Sequence, residues 1–276
     1  MAGKMWKYLL AFALALGTLS TGFAEPVLRG FYLDQNVQAA YNPLGVQLGT
    51  KLYYRMPLVR KPGILWESTK VDLGLANALS PAYDFFGGFV DIRPIAIFDL
   101  ALTAQVAGYY SALGYGFHDL SGYDAAFDSG SLASLPSKNT AGYLLSASPT
   151  LQFALGPFAF ADTLQLSYFD VDGGQGYFYE TVANCALAKS GVELSNNVYL
   201  LYTLRPGIML GLNDSLLSVP ASGYRSQLLQ AVGLATKRLS PRLSLYAALM
   251  AGLYLEDRYF QYAPHVAGEA GLTSAL

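Results

Sequence analysis

The most constraining feature of this chain is an alternation of apolar and polar side chains that recurs in segments of about ten residues. In residues 46–56, Leu48, Leu52 and Met56 fall on one side of an extended chain, while Lys51 and Arg55 fall on the other. A period of two is typical of β-strands, whose successive side chains point to opposite faces of a sheet. The pattern therefore predicts strands that separate an apolar environment from a polar one.

Twelve such segments follow one another, with no internal repeat or linker between them. They cover residues 31–41, 46–56, 68–79, 85–94, 99–112, 142–155, 162–171, 191–204, 208–219, 226–238, 242–255 and 265–276. An even number of strands brings both chain ends to the same side of a closed sheet. A ten-strand count, in which the segments near 31–41 or 208–219 are merged, is the alternative.

The composition favours a membrane protein. Apolar residues make up 53% of the chain and charged residues 13%, about half the charged share of a typical globular protein. Helical spans are disfavoured, because Asp99 interrupts the window 94–113, and Arg205, Pro206 and Asp214 interrupt the window 198–217. The other structure that pairs all its backbone groups in lipid is a closed barrel. We therefore expect an all-β fold, a transmembrane antiparallel up-and-down β-barrel formed by residues 25–276.

Residues 1–24 predict a secretory signal peptide that is cleaved after Ala24. Lys4 and Lys7 precede an apolar run at 8–16, and the small residues Gly22 and Ala24 follow it. Cleavage removes two lysines and no acid, which leaves 15 basic and 19 acidic residues and a net charge of about −4. This charge disfavours a nucleic-acid partner.

Connection lengths predict which rim of the barrel faces outward. Outer-membrane barrels have short periplasmic turns and longer external loops. The two longest connections, 113–141 and 172–190, are predicted to be external, while 95–98, 156–161, 205–207 and 239–241 are short periplasmic turns. Two connections depart from this rhythm, because the external turn 42–45 is tight and the periplasmic connection 57–67 is long.

With these strands, turns and loops, the chain resembles the bacterial outer-membrane β-barrel proteins, a porin-like class, over residues 25–276. The resemblance implies a Gram-negative bacterium, residence in the outer membrane, and contact with its lipid and with the barrel-assembly machinery. Members of this class usually end in an aromatic residue that this machinery reads, whereas this chain ends in Leu276.

Charges within the strands are expected to face the lumen, because a charge exposed to lipid is costly. They are of both signs, and the candidate lumen-lining residues are Lys51, Arg55, Lys70, Asp72, Asp91, Arg93, Glu193, Arg205, Glu256 and Glu269. One interpretation is an ion-paired network that fills a narrow barrel. The other is a path for solutes through a charged lumen.

The two histidines are the candidate bases for a hydrolase. A lipid hydrolase of this class needs a His and a Ser close together on one lipid-facing strand. Neither His118, in an external loop beside Asp119, nor His265, before the last strand, has that placement. Neighbouring acids predict solvated or ion-paired groups rather than an acid–base pair or a calcium site; they are Asp124 and Asp128, Asp170 and Asp172, and Glu256 and Asp257. The sequence favours a protein without a cofactor, a metal ion or an enzymatic activity.

Aromatic pairs lie at the predicted strand ends and are expected to form mainly the interfacial girdles, with a minority available to stack on flat solutes. They are Tyr53 and Tyr54, Phe85 and Phe86, Tyr109 and Tyr110, Tyr168 and Phe169, and Tyr259 and Phe260. Cys185 is the single cysteine of the chain. We expect it to be buried and inert; an intermolecular disulfide is the alternative.

Three functions are carried forward. The leading hypothesis is a small-solute channel or transport-type barrel, because polar faces line the predicted lumen and two long loops adjoin its mouth. The alternative is a closed structural or surface-interaction barrel that displays residues 113–141 and 172–190. The least favoured is a lipid-modifying outer-membrane enzyme.

Overall fold

A computed structural model of the chain describes residues 27–42, 45–59, 61–111, 116–173 and 176–276. The predicted signal peptide lies outside these residues and stays a prediction. The strands are β1 (Gly30–Tyr41), β2 (Gly45–Pro57), β3 (Lys70–Leu79), β4 (Tyr83–Ile95), β5 (Phe98–Tyr109), β6 (Asp119–Leu120), β7 (Thr140–Leu155), β8 (Phe158–Val171), β9 (Tyr177–Glu180), β10 (Cys185–Ala188), β11 (Ser190–Arg205), β12 (Ile208–Val219), β13 (Tyr224–Ser240), β14 (Leu243–Glu256) and β15 (Pro264–Ala275). A short helix, α1, spans Ser129–Ser134. None of the helices in the described ranges is long and apolar enough to cross a membrane.

Twelve of these strands form one closed antiparallel barrel. Their order around the wall is β1-β15-β14-β13-β12-β11-β8-β7-β5-β4-β3-β2, and β1 pairs with both β2 and β15. Barrel strands that follow one another in the sequence are therefore paired in the wall. Because the first strand also pairs with the last, the sheet has no free edge. The prediction of a twelve-stranded up-and-down barrel is confirmed, and the ten-strand count is wrong.

The predicted strand positions agree closely with the observed ones, and β12 has the predicted bounds. The largest difference lies at the start of β8, which begins at Phe158 instead of residue 162. The turn before it needs only residues 156–157, because Gly156 adopts a positive φ of 59°. Pro206 and Gly207 form a similar turn, in which Gly207 has a φ of 79°, as the third residue of a type II turn requires.

The two rims of the barrel differ in their connections. One rim carries both ends of the barrel, the turns 96–97, 156–157, 206–207 and 241–242, and the connection 58–69. The other carries 42–44, 80–82, 220–223, 257–263 and the two long connections 110–139 and 172–189. This is the distribution expected for a periplasmic and an external rim respectively.

The outer wall is an apolar belt, as the alternation of each strand predicts. Side chains on the outward face of the central strands are large, apolar and exposed; they include Val37, Leu48, Leu52, Leu73, Leu75, Leu102, Val106, Leu145, Leu164, Leu166, Leu200, Leu212 and Leu249. The inward positions of the same strands carry most of the polar and charged groups. This sorting matches lipid outside the wall and a separate interior within it.

Some acidic residues on the outward face depart from this sorting, and amide side chains bond three of them. Asn196 donates to Asp162 across β11 and β8, with a nitrogen–oxygen distance of 2.6 Å. Gln227 donates to both oxygens of Asp214 at 3.0 and 3.1 Å. Asn77 donates to Asp84 in the same manner near the external rim. The amide bonds lower the cost of placing these carboxyl groups on the outer wall.

The apolar belt generates a stability prediction for Leu249, which lies midway along β14 on the outer wall with 62% of its surface exposed. Leu249→Arg should lower the free energy of unfolding in lipid vesicles by about 2–4 kcal/mol, because a cation would then face hydrocarbon. Leu239→Arg, close to the periplasmic rim, is the matched control, with an expected loss of about 0–1 kcal/mol. Denaturant titration of both variants checks this. Equal losses would contradict the position of the belt.

Candidate functional site

The two long external connections fold together into one assembly. Strands β6, β9 and β10 form a separate antiparallel sheet in the order β10-β9-β6, and Lys138 pairs with Phe117 through a further bridge. Helix α1 follows Asp128, whose carboxylate accepts the amide hydrogens of Gly130 and Ser131. The Ser131 hydroxyl also donates to this carboxylate, and it acts with the two amides to lower the pKa of Asp128 below its usual value. We call residues 116–139 and 176–189 the loop plug.

An aromatic cluster attaches the loop plug to one side of the barrel wall. The rings of Phe117 and Phe178 stack with their centroids 5.2 Å apart. Tyr109, at the external end of β5, meets both rings edge-on at 5.7 and 6.2 Å, and Phe169 of β8 approaches Phe178 at 6.2 Å. Phe178 itself is fully buried. Such contacts between rings add to the gain from burial, so this side of the plug is held firmly.

A second aromatic cluster attaches the plug to the far side of the mouth. Phe127 packs against Tyr224 of β13 and against Tyr259, with centroids 6.0 and 4.8 Å apart. The Tyr224 hydroxyl donates to Asp257 at 2.9 Å, and the Arg258 guanidinium lies 5.5 Å from the centre of the Phe127 ring. In the ring of twelve strands, β13 and β5 are five places apart. Two anchors on nearly opposite walls mean that the plug spans the external mouth.

A cavity of about 140 Å³ lies in the lumen directly beneath the plug. Val182 and Ala183, from the turn between β9 and β10, form part of its roof. Its wall carries polar side chains from β8, β11, β13 and β15, among them Ser167, Glu193, Ser195, Asn197, Gln230 and His265. We call this cavity the chamber. A void of 150 Å³ elsewhere is known to hold one benzene molecule, so the chamber has room for a small solute or several waters.

Two polar atoms in the chamber wall are buried without a hydrogen-bond partner among the described residues. They are Oε2 of Glu193 and Oγ of Ser195, on neighbouring inward positions of β11. Ser167 bonds the Glu193 carboxyl and accepts a hydrogen bond from Gln165 at 2.9 Å. The carboxyl of Glu180, in the plug above, also acts electrostatically on Glu193. The chamber therefore has hydrogen-bonding capacity that the wall does not use.

An apolar layer lies on the periplasmic side of the chamber. It is formed by the next inward residues of the same strands, Tyr199, Leu201, Val232, Leu234 and Ala248, and all of them are buried. Met250 and Ala267 belong both to this layer and to the chamber wall. The layer forms a floor beneath the chamber on this half of the barrel.

The periplasmic end of the lumen holds a network of ion pairs. Arg55 donates two hydrogen bonds to Asp72, both at 2.8 Å, and Lys70 contacts the same carboxylate at 2.6 Å. Arg93 contacts Asp99 at 2.7 Å, and Lys70 also lies 3.6 Å from Asp91. Charges that are buried in this way are tolerated when each of them is paired. We call these six residues the charge network.

No family model matches the sequence, and no curated protein matches it either. Solved barrels match its fold. The β-domain of the Bordetella autotransporter BrkA has a TM-score of 0.50 and 12% identity, over 90% of this chain and 99% of that one. An outer-membrane channel from Pseudomonas putida F1 has a TM-score of 0.44 and 12% identity, over 94% and 100%. Omp33 of Acinetobacter baumannii has a TM-score of 0.43 and 10% identity, over 91% and 100%.

The chain has the fold of the bacterial outer-membrane β-barrels. At these identities the comparison shows the fold alone. The apolar belt, the closed wall and the unequal rims agree with that fold, and they place the barrel in the outer membrane.

The ten predicted lumen residues of this outer-membrane barrel do not form one site. Six lie together near the periplasmic end: Arg55, Lys70, Asp72, Asp91 and Arg93 in the charge network, and Lys51 with its ammonium 5.3 Å from the Phe89 ring centre. Glu193 lines the chamber, and Glu269 accepts hydrogen bonds from Asn36 and Tyr246 at 2.6 and 2.5 Å. Arg205 and Glu256 are exposed at strand ends. Asp99 completes the network, but it was not among the predicted lumen residues. Its position on the same face of β5 as the polar residues Thr103 and Gln105 could have identified it.

The aromatic pairs at the strand ends divide between the two faces of the wall. Phe86 is exposed on the outer wall, while Phe85 is buried in the lumen. Tyr110 and Tyr168 are likewise exposed, while Tyr109 and Phe169 are buried in the first aromatic cluster. The buried members therefore do not belong to the girdles, and the expectation of a girdle position is wrong for them. The reason is that neighbouring residues of a strand point to opposite faces.

The histidines and the acidic pairs take structural positions. His265 lies within β15 and lines the chamber, where its Nδ1 is 3.0 Å from Gln230, and His118 is buried in the plug. Asp257 accepts the Tyr224 hydroxyl and the amide hydrogens of Tyr259 and Phe260. Within the described ranges, no group of three or more His, Cys, Asp or Glu residues could hold a metal ion.

Cys185 is buried in β10, as expected, and burial raises the pKa of its thiol well above the usual value. A thiol of this kind reacts slowly until the plug opens. Phe178→Ala should speed the labelling of Cys185 by a water-soluble maleimide by at least about a hundredfold, because loss of a buried Phe costs about 3–5 kcal/mol. Phe153→Ala, on the exposed outer wall, should leave the labelling rate unchanged. Equal rates in all three proteins would contradict the packing of the plug.

Proposed function

We propose that this outer-membrane barrel is a channel for small solutes, in which the loop plug is the external gate and the chamber is a binding site along the permeation pathway. The chamber carries this proposal. A purely structural barrel gains nothing from a void in its lumen, since voids cost packing energy. Buried polar atoms without partners cost more still, so Glu193 and Ser195 favour a site that something else occupies.

The position of the chamber supports the same function. It lies directly beneath a plug made of external loops, at the external end of the lumen. Loops differ from barrel strands in that their displacement breaks no hydrogen bond of the wall. A gate built from loops can therefore move while the barrel stays closed in the membrane. Two of the structures that match this fold are described as channels, an outer-membrane channel from Pseudomonas putida F1 and a monoaromatic hydrocarbon channel.

A closed barrel that displays surface loops is the second candidate. The packed apolar layer beneath the chamber and the paired charge network favour it, because both fill parts of the lumen that an open channel needs. In this alternative the plug is a permanent seal, and the external face of the plug is the functional surface.

Single-channel recording in planar bilayers separates the two candidates. The intact barrel should show opening events above background, and removal of residues 177–188, which include β9 and β10, should raise the conductance several-fold. Shortening the connection 58–69 at the periplasmic rim by six residues, which leaves enough chain for the turn between β2 and β3, should leave the conductance unchanged. An intact barrel that never conducts would overturn the channel proposal, whether or not the shortened barrel conducts.

A further inference from the structure

The chamber wall contains an acidic side chain but no lysine or arginine among the described residues. The acidic side chain in its wall is Glu193, and the Glu180 carboxyl in the plug lies close enough to act on it electrostatically. In the charge network of the same lumen, buried acids face basic partners, as Asp72 faces Arg55 and Lys70. The chamber therefore lacks the counter-charge that the charge network has.

The wall around these carboxyl groups is built for hydrogen bonds and for ring contacts. Ser195 presents a buried hydroxyl without a partner, and Ser167 and Asn197 lie beside it on the wall. The side chains of Phe85, Phe169 and Tyr254 line the same space. Aromatic faces attract cations, and hydroxyl and amide groups bind the polar ends of a small solute.

We propose that the chamber binds a small organic cation, an amine of a few heavy atoms that carries a hydroxyl or similar polar group. The ammonium supplies the donors that Oε2 of Glu193 lacks, and the polar end bonds the Ser195 hydroxyl. An anion is disfavoured, because it would meet the Glu193 carboxyl, with the Glu180 carboxyl close by, in a space that no lysine or arginine lines among the described residues. This inference rests on the proposed use of the chamber as a solute site, and it names the class of solute.

The size of the chamber limits the solute. About 140 Å³ is close to the volume that holds a single six-membered ring. Long chains and sugars of several rings exceed this volume. A compound such as an amino alcohol meets the requirements of size, charge and hydrogen bonding together.

Three water-soluble probes of nearly equal size test the charge preference. They are 3-amino-1-propanol, 1,3-propanediol and 3-hydroxypropanoate, which place an ammonium, a hydroxyl or a carboxylate at the same position. Saturation-transfer NMR on the intact barrel in detergent gives a Kd for each. The amine should bind at least about tenfold more tightly than the diol, and the acid should not bind.

Two variants assign this preference to the chamber. Glu193→Gln keeps the shape of the side chain and should abolish the difference between amine and diol. Glu256→Gln, at an exposed carboxyl outside the chamber, is the matched control and should preserve it. Ser195→Ala should weaken both the amine and the diol several-fold. Circular dichroism of each variant confirms that the barrel has folded.

The outcomes of binding and of conductance are independent. If the diol or the acid binds as tightly as the amine, or if Glu193→Gln keeps the tenfold preference, the inference is overturned even where the barrel conducts. If the amine binds through Glu193 but the intact barrel never conducts, the inference stands and the channel proposal fails. Binding with the expected preference in a conducting barrel supports both.

Discussion

The pairing of β1 with β15 is the contact on which the rest of the structure depends. It runs in register from Tyr32 opposite Ala275 to Tyr41 opposite Val266, and the Leu276 amide continues it by donating to the Phe31 carbonyl at 2.9 Å. An open sheet would leave two rows of unpaired backbone groups in hydrocarbon, which costs several kcal/mol for each group. Because the wall is closed, the simple alternation along each strand becomes a division between lipid and lumen.

Closure of the wall places the polar and charged side chains of the strands in the lumen. Three regions of the lumen accommodate them in different ways. Near the periplasmic end, charges of both signs neutralise each other in the charge network. Beneath the external mouth, the chamber leaves Glu193 and Ser195 with unused hydrogen-bonding capacity. The mouth itself is covered by aromatic packing in the plug. In the chamber, a bound solute would supply partners for Oε2 of Glu193 and Oγ of Ser195.

The local period of two was sufficient to predict the barrel strands, because each strand carries its own inward and outward pattern. It placed β12 at its observed bounds. It also assigned to the interior Arg55, which lies in the charge network, and Glu193, which lies in the chamber wall. The plug was not predictable in this way, since its sheet and its aromatic contacts join segments that are distant in sequence and have no regular period. Phe117 and Phe178, for example, come from different loops. The alternation along β4 was sufficient to predict that Phe85 is buried. The general preference of aromatic residues for the girdles led to the opposite prediction.

Cross-linking across the β1–β15 pairing tests the closed wall most directly. In a Cys185→Ala background, Val37→Cys with Ala270→Cys places two thiols at partner positions on the outer face. A short bifunctional thiol reagent should join them in the folded barrel. Val37→Cys with Val266→Cys separates the thiols by about four residues, or roughly 13 Å along the strand, and should not be joined. Efficient cross-linking of the offset pair would contradict the closed twelve-stranded barrel, and so would a failure of both pairs to cross-link.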